Sequence, residues 1–201
     1  AICQPALASG TAVIGNHQGK GIYMSNFGAD QQTLGIGLLI ARVIIGLVMA
    51  AHGTQKLLGW FGGHGLSATS EFMVTIGFNE GRTFATVAST VEITSGVLVA
   101  LGFLGPIGPA LMISVMIVAA MTVHWKNGLF ATKNGIEIPL LYASAALAFA
   151  VTGFGPFSVD ALFGIADPWS PAITWLAIGV GIAGGLGNVA FSHMRKPAAK
   201  A

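Results

Sequence analysis

The sequence predicts an all-α fold: a polytopic membrane helix bundle with a four-helix core and a fifth, C-terminal transmembrane helix. Of the 201 residues, 54% are hydrophobic and only 8% are charged, whereas about a quarter of the residues in a soluble domain are charged. Apolar segments recur along the chain, and their lengths are close to the roughly 20 residues that a helix needs to cross the hydrocarbon. Lipid offers no hydrogen bonds, so these segments must be helices that satisfy their own backbone groups.

Apolar runs and their breaks set the expected spans. We expect the five spans at residues 34–51 and 84–104, in a segment ending near Trp125, and at residues 136–152 and 172–191. The segment 57–83 is too polar and too rich in glycine to cross, so it is predicted to form one or two interfacial helices.

Three regions follow along the chain. Residues 1–33 form a polar N-terminal arm without sustained periodicity. Residues 34–164 form the four-span core, and residues 165–201 contain a loop, the fifth span and a basic tail. We therefore expect one membrane domain with an added arm and an added span.

Lysine and arginine residues predict the orientation, because they concentrate on the cytoplasmic side of membrane proteins. Five spans that cross in alternating directions place seven cations on one side of the membrane: Lys56, Arg82, Lys126, Lys133, Arg195, Lys196 and Lys200. Lys20, Asp160 and Asp167 fall on the other side. The expected location is a bacterial plasma membrane, with the N-terminus outside and the C-terminus cytoplasmic.

The same topology gathers polar side chains into a candidate cluster or quinone pocket. Its members are Arg42, His52, Gln55, Lys56, Glu92, His124, Trp125 and Glu137, with Glu80 and Arg82 at the same membrane face. The alternative is that these residues only anchor the helices at the interface. The opposite face is expected to be nearly bare of such groups.

Arg42 and Glu92 are the two charges predicted inside spans. Both are expected some 12–15 Å deep, so they can pair. An unpaired charge there costs roughly 2.5–3.5 kcal/mol, which calls for a partner or a polar cavity. The pair either fixes helix register or forms the polar base of a pocket for a quinone head or a small anion.

The sequence contains no cofactor-binding motif. Cys3 is the single cysteine, so the chain has no internal disulfide and no Cys-x-x-Cys pattern. We predict no metal site and no intrinsic cofactor, with quinone as the candidate ligand. An alternative is that His52 and His124 ligate haem as an axial pair from facing helices.

An ordered set of short motifs resembles the DoxX family of small bacterial membrane proteins across about residues 34–164. The set includes a span-1 arginine, His52-Gly53-x-Gln55-Lys56-Leu57, Gly59-Trp60-Phe61-Gly62-Gly63, Gly77-Phe78, Glu92, Val123-His124-Trp125-Lys126-Asn127-Gly128, Glu137 and Gly153-x-Gly155-x-x-Ser158-x-Asp160. The resemblance implies a four-helix membrane core associated with redox systems. Relatives include the DoxD subunit of thiosulfate:quinone oxidoreductase, proteins associated with a terminal quinol oxidase, and members of thiol-based oxidative-stress complexes.

Three functions compete. The first is an accessory membrane subunit of a quinone-linked, respiratory or thiol- or sulfur-oxidising complex, catalytic only together with its partners. The second is a non-catalytic scaffold that docks other subunits through its arm and through the small residues Ala177, Gly181 and Gly185 of the fifth span. The third is a small-solute transporter, which the lack of visible inverted repeats disfavours. The near-neutral charge predicts no nucleic-acid partner.

Overall fold

The computed structural model describes residues 30–165 and 169–194, and within them every regular element is a helix. The helices are α1 (Gln31–Leu58), α2 (Gly65–Thr75), α3 (Gly81–Leu101), α4 (Ile107–Ala119), α5 (Glu137–Thr152), α6 (Val159–Leu162) and α7 (Pro171–Met194). The part of the arm before Asp30, which includes Cys3 and Lys20, lies outside the described residues, as do Asp167 and the basic tail.

Four helices are long and apolar enough to cross a membrane. They are α1, α3, the stretch Ile107–Asn127 that begins with α4, and α7. Helix α5 has 16 residues and is about 24 Å long. It begins at Glu137, which binds the loop at the Lys56 end of the bundle, and it ends at Thr152, which lines a cavity with Asp160. The predicted multi-pass helical bundle is therefore confirmed.

Helix α1 is longer than the first predicted span. The Asp30 carboxylate caps it by accepting the Thr33 N–H at 2.6 Å, and the helix continues through the polar residues to Leu58. Gly59 then ends it with φ 74°, a left-handed conformation that glycine adopts at little cost. The predicted span of residues 34–51 therefore covers only part of this helix, because the polar residues that follow it stay helical and pack on α3.

Close helix contacts form at small residues. An added Cβ on Gly46 of α1 would overlap the Gly96 carbonyl of α3, and one on Gly53 would lie 2.6 Å from the Ser89 carbonyl oxygen. These contacts let α1 and α3 pack side by side. The apolar core then lies between α1, α3, α4 and α5, around Met49, Met112 and Ala146, whose side chains are fully buried.

The fifth span packs inside the chain. An added Cβ on Gly181 would overlap the Ala110 carbonyl of α4, and one on Gly185 would lie 2.8 Å from the Ser114 carbonyl oxygen. Ala177 on the same helix is half-buried. The stripe predicted to dock partner subunits is thus occupied by α4, because close helix packing within one chain uses the same small residues.

Helix α2 lies in the segment predicted to be interfacial. It packs against α3 and the end of α1, and it buries Met73 beside Phe78 and Ala85. Phe72, on another side of α2, is 44% exposed. Helix α2 therefore covers the polar end of α1 and α3.

Candidate functional site

A buried ion pair joins α1 to α3. The Lys56 ammonium donates to Glu92 Oε1. Glu92 is 1% exposed, whereas the Lys56 side chain is 37% exposed. Glu92 Oε2 is also buried, yet it has no hydrogen-bond partner in the described part of the chain. One buried carboxylate oxygen of Glu92 thus has no hydrogen-bond donor among the described residues.

That carboxylate lines a cavity of about 350 Å³ between α1, α2, α3 and the end of α4. Four of its lining side chains are titratable: Lys56, His64, Glu92 and His124. The other walls are mostly apolar and include Phe72, Met73, Ile76, Ala88, Val115 and Val118. A few polar groups in an otherwise apolar cavity are typical of a site for a small amphiphilic molecule. We call this space the Glu92 cavity.

A π-helical segment brings His124 to the Glu92 cavity. Helix α4 changes at Ala120 into a π segment that ends at His124, and such segments occur frequently at functional sites. The His124 ring is fixed from the other side, because Nδ1 lies 2.8 Å from the Asn134 carbonyl oxygen. That carbonyl can only accept, so Nδ1 carries the proton and Nε2 is the acceptor of the neutral ring.

Four other predicted site residues lie at the same end of the bundle but outside the lining of the Glu92 cavity. His52 makes an edge contact with Tyr142 at 6.0 Å between ring centroids. Gln55 donates to the Phe61 carbonyl at 3.2 Å. Trp125 is 68% exposed. Glu137 Oε2 accepts the Ala131 N–H at 2.7 Å and holds the loop before α5.

Arg42 does not pair with Glu92. Its guanidinium donates to the carbonyl oxygens of Ala100 and Phe157. Ala100 lies eight residues beyond Glu92 on α3, which is about 12 Å along the helix. The expected depth was measured from residue 51, whereas α1 continues to Leu58, so Arg42 lies near the opposite end of the bundle.

A second polar cluster occupies that opposite end, which was expected to be nearly bare. Asp160 is 3% exposed and accepts the N–H groups of Leu104 at 2.9 Å and Gly105 at 2.7 Å. The buried Arg42 lies close to Gly102, whose carbonyl accepts the Asp160 N–H at 3.0 Å. The Ser158-x-Asp160 motif therefore binds the α3–α4 turn, and a cavity of about 610 Å³ adjoins it.

The sequence motifs single out neither His64 nor Tyr142. His64 lines the Glu92 cavity because α2 folds back over α1, and no spacing in the sequence reports that contact. Asp160 did carry a signal, since it follows Ser158 in a glycine-rich turn.

The fold and the site define a class of protein: a multi-pass helical membrane protein with a charged, partly apolar cavity near one end of its bundle. Residues 37–125 match the DoxX family model. This stretch, from α1 to Trp125 just after the π segment, is similar to the DoxX family, which agrees with the resemblance of the sequence there. Comparison with curated proteins and with solved structures gives no match.

Proposed function

We propose that the protein is the membrane subunit of a quinone-linked redox complex, and that the Glu92 cavity receives the quinone head. The observation that carries the proposal is one cavity that combines an ion pair and two histidines with apolar walls. A quinone needs both, because its ring bears polar oxygens and its tail is apolar. The redox association implied by the DoxX resemblance supports the same assignment.

Each lining group has a role in this proposal. Lys56 is partly exposed and can donate to an oxygen of the head while it stays close to Glu92. His124 can accept a hydrogen bond from the head at Nε2, because Nδ1 is held by the Asn134 carbonyl. Phe72, Met73 and Ile76 of α2 would contact the ring and the first part of the tail. Electron transfer itself requires a partner subunit with a redox centre.

The test is the quinone content of the gently purified native assembly, together with its quinone-linked activity. We expect bound quinone in the parent assembly and a loss of at least tenfold in both measurements in Glu92→Gln. Glu71→Gln is the matched control, since Glu71 is exposed on α2 and is not among the residues that line the Glu92 cavity. Unchanged quinone content and activity in Glu92→Gln and Lys56→Met would contradict the proposal.

The scaffold function is a second candidate. The docking surface would then be the side of α7 that does not pack on α4. An added Cβ on Gly179 or Gly187 would meet no atom within 4 Å, so this side of α7 leaves room for another helix. Assembly of the complex after Gly179→Leu and Gly187→Leu tests it. A partner that dissociates from these variants would support docking there, and a complex that stays intact would count against it.

A further inference from the structure

We infer that the Glu92 cavity selects a head that donates hydrogen bonds, a hydroquinone or a related phenol, over the oxidised quinone. The inference rests on the proposed function and specifies which form of the ligand fits the site. It is based on the donor and acceptor atoms of the lining side chains that have no hydrogen-bond partner in the described residues.

Glu92 supplies the first argument. The ion pair with Lys56 makes it a carboxylate, and a carboxylate has only acceptor atoms. Oε1 receives the ammonium, whereas the buried Oε2 receives nothing from the described residues. A phenolic hydroxyl can donate to Oε2. A quinone carbonyl would instead place a second acceptor against it.

The neighbouring hydroxyl groups give the second argument, because their hydrogens already point elsewhere. The single hydroxyl hydrogen of Thr69 lies between two backbone carbonyl oxygens, Gly65 at 2.8 Å and Lys56 at 3.1 Å from Oγ1. Thr122 Oγ1 donates to the Val118 carbonyl at 2.8 Å. Both threonines line the Glu92 cavity, yet neither has a hydrogen left for a ligand.

His124 gives the third argument. Its Nδ1 proton is held by the Asn134 carbonyl, so the neutral ring can offer only the Nε2 acceptor. Lys56 remains a donor but is shared with Glu92, and the exposed His64 can act in either sense. The open capacity of the buried lining is therefore mainly that of an acceptor, which matches the hydroxyl groups of the reduced head.

The experiment compares three probes on the purified full-length protein under anaerobic conditions. They are a short-chain hydroquinone, the matching quinone, and the dimethyl ether of the hydroquinone, which keeps the ring but has no hydroxyl hydrogen. We expect the hydroquinone to bind at least tenfold more tightly than the other two. In Glu92→Gln the side-chain amide can donate, so the preference should fall toward unity. Glu71→Gln should keep it.

The outcomes separate the inference from the proposed function. Equal affinity for quinone and hydroquinone, or equal affinity for hydroquinone and its dimethyl ether, would overturn the inference and leave a quinone site in place. Binding of none of the three would contradict both. The parent protein alone decides these cases, so a folding defect in Glu92→Gln would not affect the result.

Discussion

Glu92 and Lys56 show how a charge is kept inside this bundle. The carboxylate lies in the middle of α3, and the lysine reaches it from the last turns of α1, where its side chain is still partly exposed. A buried carboxylate that loses its partner keeps its desolvation cost, whereas a partly exposed ammonium recovers water. The two residues are therefore not equivalent in their effect on stability.

A double-mutant cycle tests this asymmetry. Lys56→Met should lower the free energy of unfolding in detergent by about 1–3 kcal/mol, because it leaves Glu92 buried and unpaired. Adding Glu92→Leu should recover much of that loss. Lys133→Met changes an exposed lysine and serves as the control. Strictly additive effects of the two substitutions would contradict a coupled pair.

The sequence predicted the burial of Arg42 and Glu92, but not that of Asp160 and not the contacts that these side chains make. Its apolar spans place Arg42 and Glu92 inside the membrane, and both are indeed buried. Their partners depend on how far α1 extends beyond residue 51 and on which turn lies over Arg42. Arg42 contacts the backbone carbonyls of Ala100 and Phe157, and hydropathy carries no information about such contacts.

At the scale of elements, the contact of α1 with α3 depends on glycine. Gly46 faces Gly96 so closely that neither position has room for a Cβ, whereas Gly37 on the same helix has nothing within 4 Å. Apolar segments could be located from the sequence, and so could glycines within them. Which glycine faces another helix is set by the rotation of α1, and this required the structure.

Gly46→Ala and Gly37→Ala form a matched pair that tests the contact. Gly46→Ala should destabilise the protein by about 1–3 kcal/mol, since the added methyl forces the helices apart. Gly37→Ala should be neutral or stabilising by up to about 1 kcal/mol, because alanine favours the helix. Thermal unfolding of both variants in the same detergent gives the comparison. Similar melting temperatures would contradict close packing at Gly46.

At the scale of the whole molecule, the two ends of the bundle differ. The end with Lys56 holds the Glu92 cavity, whereas the opposite end holds Arg42 and Asp160 around a tight turn. If α5 is counted with the four longer helices, the predicted five crossings put Gln31 and Met194 at opposite ends of the bundle. The predicted orientation, with the Lys56 end in the cytoplasm, rests on the lysine and arginine distribution and stays a prediction.

Labelling of single cysteines in a Cys3→Ser background tests that orientation. Lys126 and Phe163 are exposed at opposite ends of the bundle. A membrane-impermeant maleimide added to intact cells should label Phe163→Cys at once and Lys126→Cys only after permeabilisation. The reverse pattern would place the Glu92 cavity on the outer side, and labelling of both in intact cells would contradict a membrane crossing between them.

Under the proposed function, the opening of the Glu92 cavity toward the Lys56 end of the bundle has a bioenergetic consequence. A proton taken from a bound hydroquinone would leave toward the compartment at the Lys56 end, the nearer surface. Moving one charge across a membrane potential of 100 mV costs about 2.3 kcal/mol. In the predicted orientation those protons would enter the cytoplasm, so proton release at this site would not carry positive charge across the membrane.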